Sequence, residues 1–344
     1  MSVLWFNLLG LSTLWFRWGL GLVVAASLDR LIGDPWGWPH PVQAMGWTIQ
    51  RAADGILRLR LPPLGERALG VLLGLGIMVG SGAVGWGIVH LALRLHPVVG
   101  MGCDAILLAS CFAGRSLRQA AEDVLAPLEA GDIPQARNRL ALYVGRDTER
   151  LDEPGIRRAV LETVSENATD GVLAPLFYAL VGAFSPLGSV PVALAYKAAS
   201  TLDSMVGYRE APYTHLGWFS ARFEDVLTWL PCRLTVLTVA LLSGRPRHVL
   251  RLCRRDAPAD PSPNAGWSEC AYAAALGVQV GGKNVYRGQV KEKPLLGDAT
   301  VLITSDRILA ALALTRRAAL LWLALGVTLL ALRAWLQLRS TSVI

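Results

Sequence analysis

ALGVLLGLGIMVGSGAVGWGIVHLALRL, Ala68 to Leu95, decides the class of fold. The run exceeds the roughly 20 predominantly apolar residues that a helix needs to cross a bilayer core of about 30 Å. Gly70, Gly74, Gly76, Gly80, Gly82 and Gly85 include small-xxx-small spacings, which let helix backbones approach closely inside a membrane. They do not form a nucleotide loop. Gly74-x-Gly76-x-x-x-Gly80 is one residue too long for the dinucleotide fingerprint, and no strand precedes it.

The composition agrees with a membrane protein. Of the 344 residues, 53% are hydrophobic and 17% are charged, whereas soluble domains carry about 25% charged residues. Twelve Trp and 34 Gly point the same way. The net charge of +7 comes mostly from arginine. It reads as cytoplasmic loops under the positive-inside rule, not as a nucleic-acid surface. Cys103, Cys111, Cys232, Cys253 and Cys270 show no C-x-x-C and no pairing with His, so neither a disulfide framework nor a zinc site is expected. No small-residue cleavage site follows a basic segment near the start, so no cleaved signal peptide is expected.

Working outward, a first spanning candidate ends near Gly33, with Arg17 interrupting it and Asp29 and Arg30 at the membrane edge. Trp36, Trp38 and Trp47 suit an interfacial belt. Val98 to Ala113 is shorter and contains Asp104, whose burial in lipid costs about 2.5 to 3.5 kcal/mol on insertion scales. Val172 to Ala195 contains Pro175, Pro186 and Pro191. It either crosses once, kinked, or re-enters as two half-helices broken near Ser185 to Gly188. The re-entrant reading requires that Val226 to Leu242, which contains Arg233, also fail to cross. Thr300 to Leu314 reads as a separate helix, and Ala318 to Leu336 as the last span. The expected fold is an all-α polytopic membrane protein with about four to six transmembrane or re-entrant segments. Residues 1–344 form one membrane domain with polar inserts at 114–170 and 244–314. The basic loops Arg51–Arg67, Arg115–Arg158 and Arg245–Arg255 are expected in the cytoplasm.

The chemistry centres on Gly145 to Gly171, GRDTERLDEPGIRRAVLETVSENATDG. Asp152 is a natural N-cap, Pro154 fits a first helical turn, and Gly171 ends the helix. Glu162, Glu166 and Asp170 are spaced four apart and share one arc at about 100° per residue. Three such carboxylates need protonation, arginine pairing or a divalent ion unless the arc is simply a solvated face. Asp34, His40, Arg146, Asp147, Asn167, Lys197, Asp203, Arg222, Asp225, Asn264 and Glu269 complete the polar set. Acids beside Lys and Arg suit magnesium–phosphate chemistry. VQVGGKNVY reads as a small hairpin turning at Gly281-Gly282. Neither a Walker A loop nor a Gly-x-Ser-x-Gly nor a His-Glu-x-x-His motif occurs. On these residues alone, an anionic-ligand site in a membrane protein follows, and a transporter fits the same set.

Five segments in order carry a family resemblance. They are Asp29-Arg30-x2-Gly33-Asp34-Pro35 with Pro39-His40-Pro41, ETVSENATDGVLAPLFYAL, AYKAASTLDSMVGY, DAPADPSPNAGWSECAYAAALGV, and Leu296-Gly297-Asp298. Together they resemble the adenosylcobinamide-phosphate synthase family of cobalamin biosynthesis, from about Ala26 to Asp298. Glu224-Asp225 departs from the two aspartates common in that family. The resemblance implies an ATP-dependent ligase of the inner membrane, multi-pass, with its active site facing the cytoplasm. It would join the free propionate of adenosylcobyric acid to (R)-1-aminopropan-2-ol or its O-phosphate. The implied partners are a corrinoid, the amine, the lipid bilayer and other membrane enzymes of cobalamin assembly. Magnesium would sit on Glu162, Glu166 and Asp170, with Glu166 and Asp170 also catalytic. Lys197, Arg146 and Arg222 would contact ATP phosphates, and Asp203 or Asp225 would take the amine proton. Asn167 would bond a substrate amide, and Asp34, His40, Asn264 and Glu269 would bind substrate. The non-enzymatic alternative is a transporter or a corrinoid-holding subunit.

Overall fold

The computed structural model describes residues 14–34, 37 and 40–341, so the tryptophans expected at 36 and 38 lie outside the described residues. In chain order the elements are α1 (Leu14–Leu31), α2 (Pro41–Arg58), α3 (Pro63–Leu95), α4 (Pro97–Ala109), α5 (Gly114–Glu129), α6 (Ile133–Leu140) and α7 (Glu153–Asn167). A π-helical turn, Ala168–Leu173, leads into α8 (Ala174–Ala183), α9 (Ser189–Val206), α10 (Trp218–Leu242) and α11 (Pro246–Asp256). A 3-10 turn (Ala257–Ala259), α12 (Ala265–Leu276), β1 (Val280–Tyr286), β2 (Gln289–Leu296) and α13 (Ser305–Thr341) complete the chain. The fold is all-α and polytopic in character. Four helical stretches are long and apolar enough to cross a membrane: Pro63–Leu95, Pro97–Glu129, Trp218–Leu242 and Ser305–Gln337. α1 is not among them; it carries Arg17, Asp29 and Arg30 within its 18 residues.

The chain divides into two compact units. The first holds residues up to Ala113, Pro175–Leu227 and the chain from Leu320. Here the glycine stripe of α3 seats α9. A Cβ on Gly85 would lie 2.2 Å from Leu194 Cδ1, and one on Gly82 would lie 2.9 Å from the Pro191 carbonyl oxygen. The two backbones therefore touch where a side chain would hold them apart. Asp104, in α4, is buried and feels the charge of Arg17. Gly21 leaves room for its carboxylate, since a Cβ there would meet Asp104 Oδ2 at 2.5 Å. The segment Val172–Ala195 is not one helix. α8 has 10 residues, about 15 Å, and the chain turns before α9 at Gly188, φ +88°. That is the break expected at Ser185–Gly188.

The second unit holds Gly114–Ala174 and Thr228–Ala319. Gly131, at φ +79°, stops the α5 end. Asp132 then caps α6 by accepting from Gln135 N at 3.0 Å. Asp152 caps α7 by accepting from Gly155 N at 2.9 Å. At the centre lies α12, buried on nearly every side by small residues. Ser268 donates to the Ser165 carbonyl at 2.5 Å, and Tyr272 bonds Thr315 at 2.7 Å. Cys232, Val236, Val239 and Ala240 of α10 belong to this unit's core.

Three local expectations are corrected. The apolar run 226–242 is the end of a 25-residue helix that begins at Trp218. Its length, about 37 Å, permits a crossing, but its second half is apolar because it packs into the core just described. Arg233 on that helix lies 5.1 Å over Trp229 and 4.3 Å over Trp267 and donates to the Pro263 carbonyl at 2.9 Å. The expected separate helix at Thr300–Leu314 and the last span are one helix, α13. The hairpin turns at Arg287-Gly288, both at positive φ, as a tight two-residue hairpin turn requires. Gly281 instead faces a bulge in β2: between the pairs Val280–Leu296 and Gly282–Lys293, the single residue Gly281 stands opposite Pro294 and Leu295.

A packed second half for α10 predicts topology. In a cysteine-free background, Thr214→Cys and Arg247→Cys, flanking α10, should label with an impermeant maleimide from the same, cytoplasmic face. Labelling from opposite faces would show that α10 crosses.

Candidate functional site

The polar residues of the second unit converge where α7, α12 and the β1–β2 hairpin meet. Glu162 is almost fully buried, with 2% of its side chain exposed. Its charge is met from two directions. Arg146 Nη2 lies 2.5 Å from Oε2, and the Gly281 N–H donates to Oε1 at 2.8 Å. The bulge is what aims that N–H. Gly281 sits at φ +91°, and a Cβ there would meet the Pro294 carbonyl oxygen at 2.0 Å, so only glycine fits. Arg146 also donates to Asn284 Oδ1 at 2.9 Å. Arg158 donates to the carbonyls of Gly281, at 2.7 Å, and Lys283, at 3.0 Å. Asp147 accepts from the N–H groups of Arg287 and Gly288 at 2.9 and 2.7 Å, clasping the turn. Arg146-Asp147 thus grips the C-terminal end of β1 and the turn that follows it.

Below this clamp lies a second charged group. Lys293, on β2, donates to Glu269 Oε1 at 3.0 Å. None of the Glu269 side chain is exposed, and its Oε2 is buried with no hydrogen-bond partner. Glu166 stands close enough to feel the charges of Lys293, Asp260, Glu162 and Arg146. Burial pushes Glu166 above the usual carboxylate range. Burial, reinforced by the charges of Glu166 and Glu162 and opposed by Lys293, pushes Glu269 up to about 8. Burial works against the Lys293 ammonium, but the carboxylates of Glu269, Glu166 and Glu162 outweigh it and hold its pKa above the lysine norm.

The expected arc of three acids assumed an unbroken helix. α7 ends at Asn167, and the wide turn Ala168–Leu173 replaces i→i+4 with i→i+5 bonding. Gly171 lies inside this turn and does not end the helix. Asp170 therefore falls out of phase with Glu162 and Glu166, and its charge acts on Cys232. Among the described residues, no three His, Cys, Asp or Glu gather as a metal cage. The carboxylate of Glu162 is already spent on Arg146 and Gly281.

The other expected residues are distributed as follows. Asn264 precedes α12, but its side chain makes no cap bond; its Oδ1 faces Arg233 Nη1 at 3.5 Å. Asn167 is exposed and donates to the Thr163 carbonyl at 2.9 Å. Lys197, Asp203, Arg222 and Asp225 belong to the first unit. There Asp225 feels the charges of Arg209 and Arg222. Asp34 and His40, also in the first unit, pair at 3.0 Å through Asp34 Oδ1 and His40 Nε2. His40 Nδ1 accepts from Val42 N at 3.3 Å, which makes His40 the cap of α2. Sequence reasoning missed Lys293, Asn284 and Asp260. The signal for Lys293 was indirect: Glu269 in the apolar run AGWSECAYAAAL needs a cation.

Two outcomes follow. Arg146→Met, which strands Glu162 as an unpaired buried charge, should destabilise the protein by about 3 to 5 kcal/mol. Adding Glu162→Gln should recover part of that in thermal unfolding; no loss in the single variant would show the pair to be dispensable. The second outcome concerns pH. Glu269 has a folded pKa of about 8, above the roughly 4.3 of an unfolded glutamate. Between those values the native state holds more protons than the unfolded one, so stability falls as pH rises. The stability from the raised Lys293 is fully present below the normal lysine pKa and is lost only above it, so it adds no slope in this window. The melting temperature should therefore decline from pH 5.5 to 8.5, and Glu269→Gln should flatten that slope. An unchanged slope in the variant would remove Glu269 as the cause.

A family model described as CobD/Cbib protein matches residues 22–315. The chain is 54% identical over 307 residues to a cobalamin biosynthesis protein CobD of Synechocystis sp., covering 89% of this chain and 90% of that protein. It is 40% identical over 322 residues to a cobalamin biosynthesis protein CbiB of Salmonella arizonae, covering 92% and 98%. A CobD of Halalkalibacterium halodurans is 40% identical over 310 residues, covering 88% and 93%. No solved structure matches the chain. The glutamate clamp of α7 and the buried acid of α12 both lie inside the matched region, and the chain belongs to the CobD/CbiB family of cobalamin biosynthesis proteins.

Proposed function

We propose that the chain is a ligase that joins the free propionate carboxylate of adenosylcobyric acid to (R)-1-aminopropan-2-ol, as its O-phosphate, at the expense of ATP. The product is adenosylcobinamide phosphate. One observation carries the reading beyond family membership: Glu166 and Glu269, each inside a family-like segment, form a partly unsatisfied acid–cation group with Lys293. A carboxylate is a poor electrophile, so amide synthesis needs it activated, most simply as an acyl phosphate. Magnesium, when bound with ATP, would neutralise the triphosphate. Since no cage of three carboxylates occurs among the described residues, the metal is assigned to the nucleotide.

The chain's own contribution is then positioning and charge. Holding two reactants in line supplies a large share of a bimolecular barrier. Lys197 and Arg222 are assigned to phosphate oxygens. Arg146, first expected in that role, is committed to Glu162. Asn167, Asn264, Asp34 and His40 are assigned to the amide-fringed corrinoid. The site is placed on the cytoplasmic side of the inner membrane, where ATP is. The transporter reading rests on the intramembrane Asp104, which feels the charge of Arg17, and on the broken segment Val172–Ala195; it remains the alternative.

The purified protein in detergent, given adenosylcobyric acid, aminopropanol phosphate, ATP and magnesium, should form the amide with stoichiometric ATP consumption. Absence of product, with a related synthase active alongside, would favour a non-catalytic corrinoid-holding subunit. Glu166→Gln should lower turnover by about a hundredfold, which is about 2.7 kcal/mol of transition-state stabilisation. Near-normal turnover in a folded variant would remove Glu166 from the chemistry.

A further inference from the structure

We infer that Glu269, with Glu166 and Asp260 beside it, is the docking site for a primary ammonium, the amine co-substrate of the ligase reaction. The inference rests on that proposed reaction for the identity of the ligand, but the site is read from the structure.

The first observation is an imbalance of charge. Glu166 links the carboxylates in this part of the second unit: it feels Asp260 and Glu162, and Glu269 in turn feels Glu166 and Glu162. Arg146 is consumed by Glu162. Lys293 meets one oxygen of Glu269. Keeping the remaining carboxylates ionised in so poorly hydrated a place is costly, so Glu269, raised to about 8, stays protonated at neutral pH until a cation arrives to hold it ionised.

The second observation is independent of charge counting. Glu269 Oε2 and Asp260 Oδ2 are both buried without a hydrogen-bond partner. The other oxygen of each carboxylate is occupied: Glu269 Oε1 by Lys293, and Asp260 Oδ1 by the Ser262 N–H at 2.8 Å. Buried acceptors are nearly always satisfied in native proteins, so orphaned ones point to a missing donor. The missing partner must be a donor and a cation. A divalent ion would need several oxygens converging at short range, and no three carboxylates converge so among the described residues. A primary ammonium asks for less: three N–H donors at ordinary hydrogen-bond lengths, with no fixed coordination polyhedron. Entry is open on one side, because Glu166 and Asp260 are only partly buried and Lys293 keeps 26% of its side chain exposed.

The arrangement also suits the reaction. An aliphatic amine is an ammonium at neutral pH and cannot attack until it loses a proton. At this site one N–H bond breaks, its electron pair stays on nitrogen as the nucleophilic lone pair, and the proton passes to Glu269 Oε2. Lys293, held on Oε1, keeps the carboxylate oriented. Burial makes Glu269 a stronger base than an ordinary carboxylate. This assignment takes the place of Asp203 and Asp225 as acceptors of the amine proton.

The test measures binding apart from turnover. (R)-1-aminopropan-2-ol and propane-1,2-diol, which matches it in shape without the amine, are titrated against detergent-purified protein by thermal shift and calorimetry. The wild type should bind the amine and not the diol. Glu269→Gln and Glu166→Gln should each weaken amine binding at least tenfold. In turnover, Glu269→Gln should raise KM for the amine at least tenfold and leave KM for the corrinoid unchanged. Glu166→Gln keeps the test open if Glu269→Gln does not fold. Equal binding of amine and diol, or amine affinity unchanged in a folded variant, would overturn the site. If the wild type forms no amide but binds the amine in a Glu269-dependent way, the site stands and the reaction reading fails.

Discussion

A carboxylate buried in protein is stable only where cations and N–H donors replace the water it has lost. Glu162 meets that condition through Arg146 and the Gly281 N–H, which come from a loop and a hairpin far from α7 in sequence. Much of the second unit follows from satisfying this one side chain. The bulge opposite Gly281 lies where that residue's N–H must face inward, and Arg158 ties down the carbonyls that the bulge leaves over. Asp147 secures the far end of the same hairpin. With the hairpin fixed, β2 brings Lys293 to Glu269. One buried ion pair thereby positions a second, and the second is where acceptors are left open.

The two charged groups do different work because their environments differ. Each oxygen of Glu162 faces a donor, Arg146 by ion pairing and the Gly281 N–H by hydrogen bonding, so it is a strut that holds secondary structure together. Around Glu269 the donors are incomplete, since one oxygen has Lys293 and the other has nothing. An incompletely satisfied acid is unfavourable for folding and is kept where a ligand completes it. The π-helical turn at Ala168–Leu173 contributes as well. It closes α7 just past Glu166, and it takes Asp170 out of line with the other two acids.

The membrane character was legible in the sequence because it rests on long runs and composition, as in Ala68–Leu95. The cap at Asp152 was legible because it depends on a single side chain. The break at Ser185–Gly188 was legible from its prolines. α10 was read as starting at Val226 because its first residues, Trp218 to Asp225, are partly polar; its length and hydropathy still permit a crossing, since core packing and lipid select the same apolar residues. The hairpin turn was misplaced because Gly-Gly is a stronger turn signal than Arg-Gly, and nothing local shows that Gly281 serves a glutamate on another element. Lys293 was missed for a similar reason. Its partner lies 24 positions away, and its strand, QVKEKPLL, looks like any exposed edge.

The claim that Glu162 organises the hairpin is tested most directly by hydrogen–deuterium exchange, read peptide by peptide, in wild type and Glu162→Gln. Loss of the carboxylate should abolish protection of the Gly281 amide and raise exchange across Val280–Leu296, while α5 and α11 keep their protection. Unchanged protection of that hairpin in the variant would contradict the account.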